Sequence, residues 1–87
     1  MNLNKQNLIN KIIYRSLYRG SKEMDLFVSS FVKSIIYDLD LSDLQNLNNL
    51  INLNDEDIIK ISNNQFNKNN FKVSRIVDLL LRFKQKY

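Results

Sequence analysis

Apolar residues recur along this chain at three- and four-residue intervals, in blocks separated by short polar runs. Between residues 5 and 19, Leu8, Ile9, Ile12, Ile13 and Leu17 share one helical face, with Lys5, Lys11, Arg15 and Arg19 on its flanks. The cations late in this segment face the negative end of the helix dipole. Gly20, the only glycine, is expected to stop the helix in a left-handed conformation and let the chain turn sharply. With Gly20 as cap of the next helix, Glu23 falls at the third helical position. There it would reach back to free backbone N–H groups, as in half a capping box. The second stripe reads Met24, Phe27, Val28, Phe31, Val32, Ile35, Ile36 and Leu39, and Asp38, Asp40 and Ser42 end it.

Ser42-Asp43-Leu44-Gln45 fits a capping box opening a third helix, with Leu44, Leu47, Leu50 and Ile51 inward. Asn54-Asp55-Glu56-Asp57 stacks acids in the first turn of a fourth helix, which contributes Ile58, Ile59 and Ile61. Residues 62–70 are polar and low in complexity and read as a loop. A last helix from Phe71 to Lys84 carries Val73, Ile76, Val77, Leu80 and Phe83 on one face. Its other face bears Lys72, Arg75, Arg82, Lys84 and Lys86. Five helices with short connections and no period-two alternation predict an all-α bundle, a single domain over residues 1–87.

Composition narrows the chemistry. The chain has no cysteine, hence no disulfide, thiolate nucleophile or cysteine-based metal site, and no histidine, the usual general base and metal ligand. No catalytic residue and no metal ligand is nominated. A chain of 87 residues also has little interior in which to exclude water from a reaction. The abundance of Asn, Ile and Lys is read as the codon bias of an A- and T-rich genome.

Charge is segregated. Residues 1–22 carry five bases and no acid, residues 23–57 eight acids against Lys33, and residues 58–87 seven bases against Asp78, for a net +4. This basic–acidic–basic layout suits a protein partner better than nucleic acid, from which the acidic middle would have to be turned away. The basic last helix keeps open an alternative, a small helical nucleic-acid-binding or adaptor domain. No apolar run is long enough to span a membrane. The acid-free first segment is similar in composition to a transit peptide. Its periodicity continues into the Gly20 corner, so it reads as part of the fold.

At that corner, Arg19-Gly20-Ser21-Lys22-Glu23 resembles the Arg-Gly-x-x-Glu motif of the SdhE-type FAD assembly factors of succinate dehydrogenase. Tyr14-Arg15-Ser16 before it, Met24-Asp25-Leu26 and Phe31 after it, and Asp55-Glu56-Asp57-Ile58 further on are similar to that family's flanking patterns. Leu17 stands where an aromatic is frequent, Ile61 where a tryptophan is usual, and Ser21 where Met or Thr is common.

The resemblance implies a binding protein and not an enzyme. Such a factor binds the flavoprotein subunit of succinate dehydrogenase, or of fumarate reductase, and promotes covalent attachment of FAD to it, with no cofactor held stably by the factor itself. It implies a monomer working in the cytoplasm of a bacterium or the matrix of a mitochondrion. Carried onto this chain, the partner-binding residues are Arg15, Arg19, Gly20, Ser21, Glu23 and Asp25. Without the resemblance, Gly20 reads as a helix cap, Glu23 as a first-turn carboxylate and the arginines as solvated cations. The arginine fork also suits bidentate recognition of a carboxylate or phosphate.

Overall fold

The amphipathic stripes become helices in the order read from the chain. The computed structural model describes residues 3–17, 19–63 and 75–86. They form α1 (Leu3–Leu17), α2 (Lys22–Ile35), α3 (Leu41–Ile51), α4 (Asp55–Ser62) and α5 (Arg75–Lys86), with a 3-10 turn at Ile36–Asp38 after α2. No strand occurs among the described residues, and the architecture is the expected all-α bundle. Most of the polar run after α4, and the expected first turn of the last helix with Lys72 and Val73, lie outside the described residues.

The inward positions merge into one cluster. Ile12, Phe31, Val32, Ile36, Leu44, Leu47, Leu50, Ile58, Ile76 and Leu80 are all buried within it. α1 lies against α2 and α3, and α5 returns over α3 and α4. Phe83 of α5 also meets two rings of α2, with centroids 5.8 Å from Phe27 and 5.5 Å from Phe31, both tilted. Such tilted ring pairs contribute beyond the area they bury.

Two apolar residues depart from their expected places. Leu17 is 38% exposed and Ile59 44% exposed. On α1 the buried line is Ile9, Ile12 and Ser16, and a residue one step beyond it is turned by about 100°. Ser16 is buried without penalty because its hydroxyl donates to the Ile13 carbonyl at 2.7 Å. Ile61, in the place where the resemblance puts tryptophan, is buried.

The helix ends also differ from the reading of the chain. α1 ends at Leu17. Gly20 is not the cap of α2, and its backbone is not in the left-handed region. The cap is Ser21, whose extended backbone lets its hydroxyl accept the Met24 N–H at 3.2 Å. Glu23 therefore stands at the second helical position, too early for the back-bond of a capping box. A glycine has no side chain to satisfy an orphan N–H, and the adjacent serine does.

At α3 the cap is Asp40 and not Ser42, with Asp40 Oδ1 accepting the Asp43 N–H at 2.8 Å. Both residues satisfy the composition rule, but a carboxylate at the helix start also opposes the positive dipole end. Leu39, just before this cap, has left the helix for extended backbone, yet it stays 3% exposed. The apolar stripe of α2 thus outlasts the helix. At α4 the cap is Asn54, which accepts the Asp57 N–H at 2.8 Å, ahead of the acids that the sequence places in the first turn.

Candidate docking corner

The connection from α1 to α2 is held by side chains from both neighbouring helix starts. The Asp25 carboxylate, in the first turn of α2, accepts the backbone N–H of Arg19. Ser21 caps the same helix. Arg19 turns its guanidinium inward, where the side chain is only 10% exposed. Its Nε and Nη2 both lie 2.9 Å from Asp55 Oδ1. Nη2 also donates to the Leu53 carbonyl at 2.8 Å, and Nη1 donates to the Ile51 carbonyl.

The physical logic lies in the α3–α4 junction. Ile51 is the last residue of α3, where carbonyls lack intrahelical partners and the dipole is negative. Asp55 is the first residue of α4, where the dipole favours a carboxylate. One guanidinium placed between them satisfies both ends, and its planar fork reaches all three acceptors.

Gly20 completes the arrangement. Its N–H donates to Asp55 Oδ2 at 3.1 Å, and a Cβ added to it would meet that same oxygen at 3.1 Å. The glycine is used for close approach to a carboxylate.

The nominated residues therefore divide. Arg19, Ser21 and Asp25 have their polar groups engaged within the chain. Arg15 is half-buried and donates to the Asn52 side chain, just beyond α3. Gly20 and Glu23 are exposed, and the Glu23 carboxylate makes no hydrogen bond or ion pair with another described residue. Tyr14 and Leu26, which flank this segment in the chain, are large apolar side chains 66% and 60% exposed.

Two participants are not among the nominated residues. Asp55 reads from the sequence as a dipole-pairing acid, and Asn52 as one of many asparagines. Asp55 is 36 positions from Arg19, and no local rule ties it to the corner. Only its place in a segment similar to the family's fourth-helix pattern hinted at a wider role.

Residues 10–84 match the family described as flavinator of succinate dehydrogenase. The chain belongs to that family. A curated relative, the mitochondrial succinate dehydrogenase assembly factor 2 of Arabidopsis thaliana, is 33% identical over 57 residues. The match covers 66% of this chain and 30% of the relative, so the chain spans less than a third of that protein's length. No solved structure matches. In this flavinator-family chain α2, α3 and α4 lie wholly within the matched residues, α1 and α5 lie partly within them, and the entire corner is covered. Among the described residues no helix is long and apolar enough to cross a membrane, and no group of acids is placed to hold a metal ion.

Proposed function

We propose that this protein is an assembly factor that docks on the flavoprotein subunit of succinate dehydrogenase, or of fumarate reductase, and promotes covalent attachment of FAD to it. The docking surface is the α1–α2 corner carrying Arg15, Arg19, Gly20, Ser21, Glu23 and Asp25. The observation that carries this reading is the family match over residues 10–84, within which the exposed pair Gly20 and Glu23 stands on an internally braced corner. Bracing matters because a docking surface held in one conformation loses less entropy on binding.

The chemistry belongs to the flavin and to the partner. This chain contributes no nucleophile and holds no flavin stably; Glu23 offers a carboxylate and Gly20 an unobstructed peptide edge. The exposed Tyr14 and Leu26 suit a protein partner, since docking surfaces are rich in aromatic and apolar anchors. The factor works as a monomer, in a bacterial cytoplasm or a mitochondrial matrix.

The nucleic-acid alternative is weakened by the state of α5. Arg75 Nη1 lies 3.2 Å from Asp43, Arg82 Nε lies 3.2 Å from Asp78, and Lys84 Nζ sits 5.4 Å from the Phe27 ring centroid. These cations already have partners within the bundle.

The test is covalent flavin fluorescence of the denatured flavoprotein subunit, co-expressed with this chain in a host lacking its own assembly factor. Fluorescence with the natural chain and its loss with Glu23→Ala supports the function and the site. Equal fluorescence with both moves the site elsewhere. No rescue by a folded natural chain overturns the function.

A further inference from the structure

Asp55 is the residue on which the corner turns, although it lies on another helix. Its Oδ1 accepts from Nε and Nη2 of Arg19, both at 2.9 Å, and its Oδ2 accepts from the Gly20 N–H at 3.1 Å. Arg19 in turn fixes the carboxylate plane, because its fork is also held by the Ile51 and Leu53 carbonyls. The neighbouring N–H, that of Arg19, is held by Asp25. Two successive backbone amides are thus gripped by carboxylates from the first turns of two different helices. Rotation of the peptide between residues 19 and 20 would break a charge-assisted hydrogen bond.

We propose that Asp55 and Arg19 form a positioning clasp for the docking peptide. Asp55 fixes the exposed Gly20 backbone in the orientation that the flavoprotein subunit reads, and Arg19 acts through Asp55 and not by touching the partner. The inference rests on the docking function proposed above. The inward-turned, 10% exposed Arg19 side chain has its three guanidinium nitrogens already donating, so little of it is left for a partner. Asp55→Asn separates the two roles of the carboxylate. Its remaining oxygen can still face Arg19, but its NH2 then meets the Gly20 N–H donor to donor.

Gly20 is the sole glycine, so glycine-selective 15N labelling gives one amide signal that reports this peptide alone. In the natural chain that amide should exchange slowly with solvent. Asp55→Asn should accelerate its exchange roughly tenfold, the effect of losing one hydrogen bond to a charged acceptor. The same variant should weaken binding to the isolated flavoprotein subunit by about tenfold with the circular dichroism unchanged. Combining Asp55→Asn with Arg19→Lys, which keeps the cation but loses the fork, should cost no more affinity than the worse single variant.

Additive losses in that cycle would mean that Arg19 meets the partner itself and would sink the clasp. An unprotected Gly20 amide in the natural chain, or one unmoved by Asp55→Asn, would do the same. Should Asp55→Asn fail to fold, Arg19→Lys reads the same exchange rate and the same affinity, and an unchanged value of either overturns the clasp. No binding by the natural chain would instead overturn the docking function, a result distinct from all of these.

Discussion

The Asp25 carboxylate accepts the backbone N–H of Arg19, six residues before it, so the start of α2 holds the stretch that follows α1. The bond closes the corner from the α2 side, as Asp55 closes it from the α4 side. Asp25→Ala should destabilise the fold by about 1–3 kcal/mol, the range for a hydrogen bond to a charged group in a partly buried place. Thermal unfolding followed by circular dichroism measures it. An unchanged midpoint would mean that Ser21 and Asp55 suffice to set the corner.

Gly20 offers a graded series. Gly20→Ala puts a methyl group against Asp55 Oδ2 at a tight but movable contact, without demanding a left-handed backbone. Stability should change by less than about 1 kcal/mol, because the restricted unfolded chain offsets part of the crowding. Gly20→Arg should leave the helical content intact and abolish support for flavinylation, since the long side chain covers the exposed peptide edge. A melting curve and the covalent-flavin assay on both variants decide between a structural and a docking role. Unfolding of both would make the glycine structural.

The two candidate caps of α3 separate cleanly. Asp40→Ala removes the acceptor of the Asp43 N–H and should cost about 0.5–2 kcal/mol. Ser42→Ala touches an exposed first-turn residue and should stay within about 0.5 kcal/mol. Urea midpoints for the two variants compare them directly, and a larger loss for Ser42→Ala would contradict the assigned cap.

Phe83 joins α5 to α2 through Phe27 and Phe31. Phe83→Ala should cost about 2–4 kcal/mol, near the low end for aromatic truncation because the residue is only half-buried. It should also release Lys84 from its place over Phe27. Hydrogen exchange along α5 should accelerate more than along α1. Uniform acceleration would mean that α5 is coupled to the whole core.

How much of this was legible in the chain differs from element to element. The helix order and most of the core followed from spacing, because a side chain's angle around a helix is fixed by its sequence position. Ile12, Phe31, Leu47 and Ile76 are buried where their stripes put them. Leu17 and Ile59 were misplaced because apolar character does not say how wide a neighbour's contact is. The caps shifted to Ser21 and Asp40 because several adjacent residues satisfy the same composition rule, and only backbone geometry selects among them.

The corner shows the boundary most sharply. By itself the sequence determined that a glycine flanked by Arg19 and Glu23 joins two helices, and that this joint belongs to a known pattern. Only the tertiary structure decided that Arg19 turns inward while Glu23 stays outside, and that Gly20 serves a carboxylate and not a left-handed turn. The reason is physical. The direction of a long charged side chain depends on which helix ends are brought near it, and the α3–α4 junction reaches Arg19 only when the bundle closes.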